Sequence, residues 1–155
     1  MRARDNPFST DRVLAIRYRG CDWDALLSRL AALSYRAAII GPEGSGKTTL
    51  LEDLGVRLAA SGVSDVALVD GADLLGAREW RRLQAQRRRL IVTSHRAGLL
   101  PTLIACSTTP ELLADIARDL AGNSLEPRRV QELFRRHGGN VREALRELYE
   151  SYAVM

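Results

Sequence analysis

The stretch Gly41-Pro42-Glu43-Gly44-Ser45-Gly46-Lys47-Thr48-Thr49 packs three glycines, three hydroxyls and one ammonium into nine residues. Lys47 is the only lysine in a chain whose Lys and Arg total 23. A compact ammonium on a thin stem reaches where the wide, planar guanidinium does not fit. The spacing of Gly41, Gly46, Lys47 and Thr48 is G-x-x-x-x-G-K-[ST]. In that pattern backbone N–H groups wrap a phosphate, the lysine reaches the β- and γ-phosphates and the hydroxyl after it holds Mg²⁺. All nine residues are candidates to bind a nucleotide, and Thr48 is a candidate metal ligand.

The flanks suit that chemistry. Ala37-Ala38-Ile39-Ile40 reads as a buried parallel strand. Leu50, Leu51, Leu54 and Leu58 repeat on one helical face, and Gly62 follows the helix end. A helix N-terminus after the glycines adds positive potential where a phosphate would sit. Two further acids follow an apolar run: Asp70 closes Val66–Val69 and is a candidate Mg²⁺ ligand, and Asp73 is a candidate catalytic acid. Without that role, the two acids cap a turn. Leu90–Thr93 is another apolar run. Thr93 and Ser94 at its tip are candidate catalytic hydroxyls, or simply polar residues ending a strand. In "RRHGGNVREALRELY" Asn140 is a good helix N-cap, and Arg142 falls in the first turn behind two glycines.

These elements predict an α/β fold. Strands at 37–40, 66–69, 90–93 and about 102–106 alternate with helices, and helices at 110–121, 127–137 and 140–152 follow. The expected organisation is an N-terminal arm (1–20), a nucleotide-binding core (21–109) and a helical lid (110–155). A helix opens the core at "CDWDALLSRLAALSY", with Asp22 as N-cap. The 155 residues suit one domain, and 46% hydrophobic residues suffice for a core. No apolar run approaches the roughly 18 residues of a membrane span, and "MRARDNPFST" lacks the apolar stretch of a secretory signal. Cys21 and Cys106 have no metal-ligand spacing and read as free thiols, so the expected compartment is the cytoplasm.

Together the motifs resemble the additional-strand P-loop ATPases, closest to the AAA+ and STAND group, over residues 36–150. The resemblance implies a small parallel sheet flanked by helices, followed by a helical lid. It implies ATP and Mg²⁺ as cofactors and a slow ATPase or a nucleotide-controlled switch as the activity. Asp70 resembles a Walker B aspartate, with Gly71 where a glutamate is usual and Asp73 as the next acid. Thr93 and Ser94 resemble a sensor strand wedged between the two Walker motifs, whose tip bonds the γ-phosphate or the attacking water. Arg142 resembles a lid arginine that reaches the phosphates. Only "ASGVSD" separates the phosphate-loop helix from Val66, where the group has a further strand and helix. Either that unit is missing and an open sheet edge awaits a protein partner, or the Asp70 strand is mislabelled.

Other nucleotide classes are weighed by their motifs. Guanine reading through N-K-x-D is excluded, because no lysine follows position 47, and the ABC signature L-S-G-G-Q is absent. A small nucleotide kinase shares the loop pattern, and "ALVDG" resembles an adenylate-kinase turn, but the expected C-terminal helices are foreign to kinases. The net charge of +4 permits a nucleic-acid partner. Arg78, Arg81, Arg82, Arg88 and Arg89 fall along one side of a helix opposite Leu83, as a phosphate-backbone patch or as an ordinary solvated face.

Overall fold

The computed structural model describes residues 5–14, 18 and 21–154. It is α/β, with a four-stranded all-parallel sheet and, among the described residues, seven α-helices. Its contacts divide the chain into a sheet unit (Arg17–Pro42 and Gly46–Cys106) and a helical unit (Met1–Ile16, Glu43–Ser45 and Ser107–Met155).

The sheet unit contains α2 (Trp23–Ala32), β1 (Arg36–Ile40), α3 (Lys47–Ala60), β2 (Val66–Val69), α4 (Ala77–Gln86), β3 (Arg89–Ser94) and β4 (Thr102–Ala105). α1 (Thr10–Leu14) precedes them in the helical unit. The strand order is β2-β3-β1-β4. β1 and β3 occupy the two central positions, and their Ala37, Ala38, Ile39, Leu90, Ile91 and Val92 are almost wholly buried. Continuous apolar runs of this kind are what a two-sided parallel sheet requires. On one face, Leu26 and Leu30 of α2 and Leu50, Leu54 and Leu58 of α3 pack with Ile39 and Ile91. Each such leucine contributes about 1.5–3 kcal/mol by leaving water. On the other face, Trp80 and Leu83 of α4 pack on Ala38, Leu90 and Val92.

β2 is an edge strand, and its Leu68 is 39% exposed. Gly55 in the middle of α3 has a packing reason. A Cβ there would stand 2.6 Å from Leu68 Cδ1, so any larger residue would make that partly exposed side chain turn aside.

The arginine run departs from the single-helix expectation. α4 stops at Gln86, and Arg89 begins β3 opposite Val66. Arg88 and Arg89 therefore lie off the helix that carries Arg78, Arg81 and Arg82. Nothing in the local sequence stops the helix. Strand pairing at Arg89 overrides its helical propensity.

The helical unit holds α5 (Pro110–Ala121), α6 (Pro127–Arg136) and α7 (Val141–Ala153). Thr109 and Asn140 cap α5 and α7 by accepting from Leu112 N and Glu143 N. Leu113, Leu133, Ala144 and Leu148 form their shared core, and Phe8 joins it. The expected N-terminal arm is thus partly built in. Asn6 Nδ2 donates to Tyr149 O (2.8 Å), Asn6 Oδ1 accepts from Phe8 N, and the Phe8 ring meets Tyr152 edge-on. Residues 1–4, 15–17, 19 and 20 lie outside the described residues. No helix among the described residues is long and apolar enough to cross a membrane.

Candidate functional site

The C-terminal ends of β1, β3 and β2 lie side by side. Ile40 pairs with Ser94 and Val69 with Val92, so the segments after those strands meet at one edge of the sheet. The glycine loop leaves β1 there. Gly44 and Gly46 have φ of +73° and +89°, in the left-handed region that a side chain resists. Gly46 precedes α3 with no side-chain cap, and a helix N-terminus of this kind suits an anion.

Lys47 is the first residue of α3. It is only 9% exposed, and its ammonium donates to Pro42 O at 2.8 Å. The loop is thereby tied across its own base by its one lysine. Pro42 and Glu43 are exposed, Ser45 is buried, and Thr49 is half-buried in the first turn of α3.

Thr48 Oγ1 donates to Asp70 Oδ2 at 2.9 Å, joining the loop helix to the end of β2. The other Asp70 oxygen accepts from Thr93 Oγ1, and Thr93 Oγ1 in turn accepts from Gly71 N at 2.7 Å. Both hydroxyl bonds to Asp70 are charge-assisted, the stronger kind. Thr48, Asp70, Thr93 and Gly71 form one continuous hydrogen-bonded chain across the strand ends.

Thr93 and Ser94 are each 1% exposed, and both hydroxyls are committed to protein partners. Ser94 Oγ donates to Arg96 O and accepts from Arg96 N, fixing the turn after β3. The sequence reading makes both hydroxyls candidate catalytic groups, and in the structure each is bonded within the protein, Thr93 to Asp70 and Ser94 to Arg96. Thr93 aims Asp70, and Ser94 shapes a turn.

Asp73 lies in the short 3₁₀ turn Ala72–Leu74. Its Oδ2 accepts from His95 N at 3.3 Å and lies 2.8 Å from His95 Nδ1. Burial pushes its carboxyl up, but the two His95 bonds, a bond from its own backbone N–H and attraction to His95 together hold the group below the usual carboxylate range. Asp73 is an ionised, accessible carboxylate near the end of β3.

Two neighbours of the loop carry no sequence signal. A Cβ on Gly46 would stand 3.1 Å from the Tyr18 ring, and Tyr18 is hydrogen-bonded to Cys106. Burial pushes the Tyr18 phenol far up. Burial also pushes the Cys106 thiol up, against the lowering effects of Tyr18 and Lys47. Both groups stay neutral beside the loop. Within the helical unit, which includes residues 43–45, a Cβ on Gly44 would fall 2.0 Å from Asn140 Oδ1. Asn140 thus caps α7 and closes on the loop glycine at once. Arg142 is exposed in the first turn of α7.

Among the described residues, no group of three His, Cys, Asp or Glu could hold a metal. What the strand ends offer instead is one hydroxyl and one carboxylate, Thr48 and Asp70. Mg²⁺ is commonly held by such a sparse set of hard oxygens when phosphates and waters complete its octahedron. Comparison of the chain with known protein families, curated proteins and solved structures finds no match.

Proposed function

We propose that the chain is a P-loop protein of the additional-strand ATPase kind that binds ATP with Mg²⁺ and acts as a slow ATPase or a nucleotide-controlled switch. The Thr48–Asp70 hydrogen bond carries this reading. It joins the hydroxyl of the glycine-loop motif to an acid at the end of a separate strand, the pair of oxygens that Mg²⁺–nucleotide binding needs. The strand order supports the same reading, because β3 lies between the glycine-loop strand and the Asp70 strand. The open β2 edge fits a plan lacking one peripheral strand, and leaves room for a protein partner to pair there.

In this reading the loop N–H groups of residues 43–47 and the N-terminus of α3 hold the phosphates, and Lys47 supplies a positive charge beside them. Thr48 and Asp70 hold Mg²⁺, which supplies charge neutralisation on the phosphate oxygens when bound. Thr93 keeps Asp70 aimed. Asp73, ionised and steadied by His95, accepts a proton from a water or orients it. Gly71 stands where a second acid is usual in the group that the chain resembles, so turnover is slow.

The test is a nucleotide panel of ATP, ADP, GTP and AMP, with and without Mg²⁺, read by calorimetry and by phosphate release. ATP binds, Mg²⁺ tightens it, and Lys47→Ala abolishes most of the affinity while the fold persists. Losing the Lys47–Pro42 bond costs about 1.5–3 kcal/mol of stability, a minor part of what holds the core. A Lys47→Ala protein that binds ATP as tightly as the parent overturns the reading. Phosphorylation of AMP would replace the switch with a kinase.

A further inference from the structure

At the opposite end of the strands from the glycine loop lies an open cavity of about 450 Å³. Arg36, Arg87, Arg88 and Arg89 line it with Ser34 and Gln84, and no carboxylate does. β1 begins at Arg36 and β3 at Arg89, whereas the loop follows Ile40. The five residues of β1 separate the two places by about 15 Å.

Two of the four guanidinium groups are built into the frame. Arg36 Nη1 donates to Arg87 O at 2.7 Å and Arg88 O at 3.3 Å. Arg89 Nη1 donates to Ser64 O at 2.9 Å, and its guanidinium stands 5.1 Å from the Tyr35 ring centroid. The other two, Arg87 and Arg88, are exposed and pair with no acid among the described residues. The same charge continues along α4. Arg78, Arg81 and Arg82 are exposed, none has an acid partner among the described residues, and Glu79 is the only acid on the helix.

Seven arginines thus share one region with almost no internal compensation. A guanidinium fork matches phosphate oxygens two at a time. The positive surface runs the length of α4, about 15 Å, and then into the cavity. A nucleic-acid strand presents a negative charge about every 3.4 Å of rise, so several phosphates match this length. We propose that the arginine cavity and the outer face of α4 bind the sugar–phosphate backbone of a nucleic acid without regard to base sequence.

Fluorescence anisotropy with a labelled, mixed-sequence single strand of about 20 nucleotides tests this, titrated from about 50 to 200 mM salt. The parent binds, and log affinity falls with log salt at about 0.7 per phosphate neutralised. Arg87→Glu/Arg88→Glu weakens binding at least tenfold and flattens the slope by about 1.4, two contacts' worth. Arg36 donates to the backbone of residues 87 and 88, so it keeps its bonds in that variant, which melts like the parent and keeps its nucleotide affinity. Excess ATP does not displace the strand. Absence of binding at low salt overturns the proposal, as does a double variant that binds normally. Displacement by ATP would put the strand in the glycine loop. Equal competition by poly-glutamate, charge for charge, would make the surface a site for an acidic protein. Either outcome also overturns the proposal.

Discussion

Thr93→Val separates two roles for the hydroxyl at the tip of β3. Valine keeps the shape of the side chain and removes its donor and acceptor. The structure gives that hydroxyl two bonds, one to the Asp70 carboxylate and one from Gly71 N. A hydrogen bond to a charged group is worth about 1.5–3 kcal/mol, and a part-buried N–H left without a partner costs about 1 kcal/mol more. The expected destabilisation is therefore about 2.5–4 kcal/mol. In a chain of this size each kcal/mol lowers Tm by about 2–4 °C, so the melting point falls by about 5–15 °C. Asp70, no longer held from one side, loses its aim toward Thr48. The Mg²⁺-dependent part of ATP affinity drops about tenfold, equivalent to 1.4 kcal/mol, while Mg²⁺-free binding through the loop stays. Thr93→Ser restores both properties. Thermal melts and calorimetry with and without Mg²⁺ read all of this. A Thr93→Val protein that melts within about 2 °C of the parent refutes the stability argument. One that keeps normal Mg²⁺-dependent binding but loses phosphate release shows that the hydroxyl touches the reacting groups, and refutes the positioning role.

Gly44→Ala forces a side chain into left-handed backbone, at about 1–2 kcal/mol, and onto Asn140 Oδ1, whose displacement costs α7 its cap at about 1 kcal/mol. The variant melts about 5–10 °C lower, and Asn140→Gly, which costs little alone, recovers part of the loss in the double variant; independent, additive effects would show that the two residues do not touch. The Asp73–His95 bond predicts a pH dependence. Asp73 titrates below its unfolded value, so its contribution is present above about pH 4 and is lost as pH falls through the lower folded value. The stability gap between parent and His95→Ala is accordingly larger at about pH 5 than at about pH 3, and a gap that does not change between them would mean that the bond contributes nothing.

The sequence-legible parts of the molecule are those written locally. Four apolar runs mark the four strands, most clearly the central β1 and β3, because a strand buried on both faces admits little else. Asp22 and Asn140 mark helix starts because their side chains satisfy N–H groups only three residues away. The N-terminal segment escaped for the opposite reason. Phe8 and Asn6 sit alone in a polar stretch with no periodicity, and the partner of Asn6 is 143 residues away. The arginine run misled because every arginine from 87 to 89 is a good helix former, while the constraint that ends α4 comes from Val66 on another strand.

The strand ends carry the same lesson into the chemistry. Thr48, Asp70 and Thr93 are each identifiable as chemistry-bearing from their neighbours, but their roles depend on which of them face one another. That is set by the strand order. The chain leaves β1, passes through α3 and lays β2 one position beyond its neighbour, and β3 then fills the gap between them. A strand inserted so late must present its tip to both flanking strands, and Thr93 does this by giving its proton to Asp70 of β2. Had β2 paired directly with β1, Asp70 could reach Thr48 alone and Thr93 would stand at an edge, open to solvent and able to meet a substrate. The insertion instead buries that hydroxyl to 1% exposure and assigns it to the acid. The accessible polar groups just beyond β3 are then His95, through it Asp73, and Arg96. Under the proposed function, chemistry on a bound phosphate would draw on the Asp73–His95 pair, with the buried Thr93 hydroxyl holding Asp70 in place.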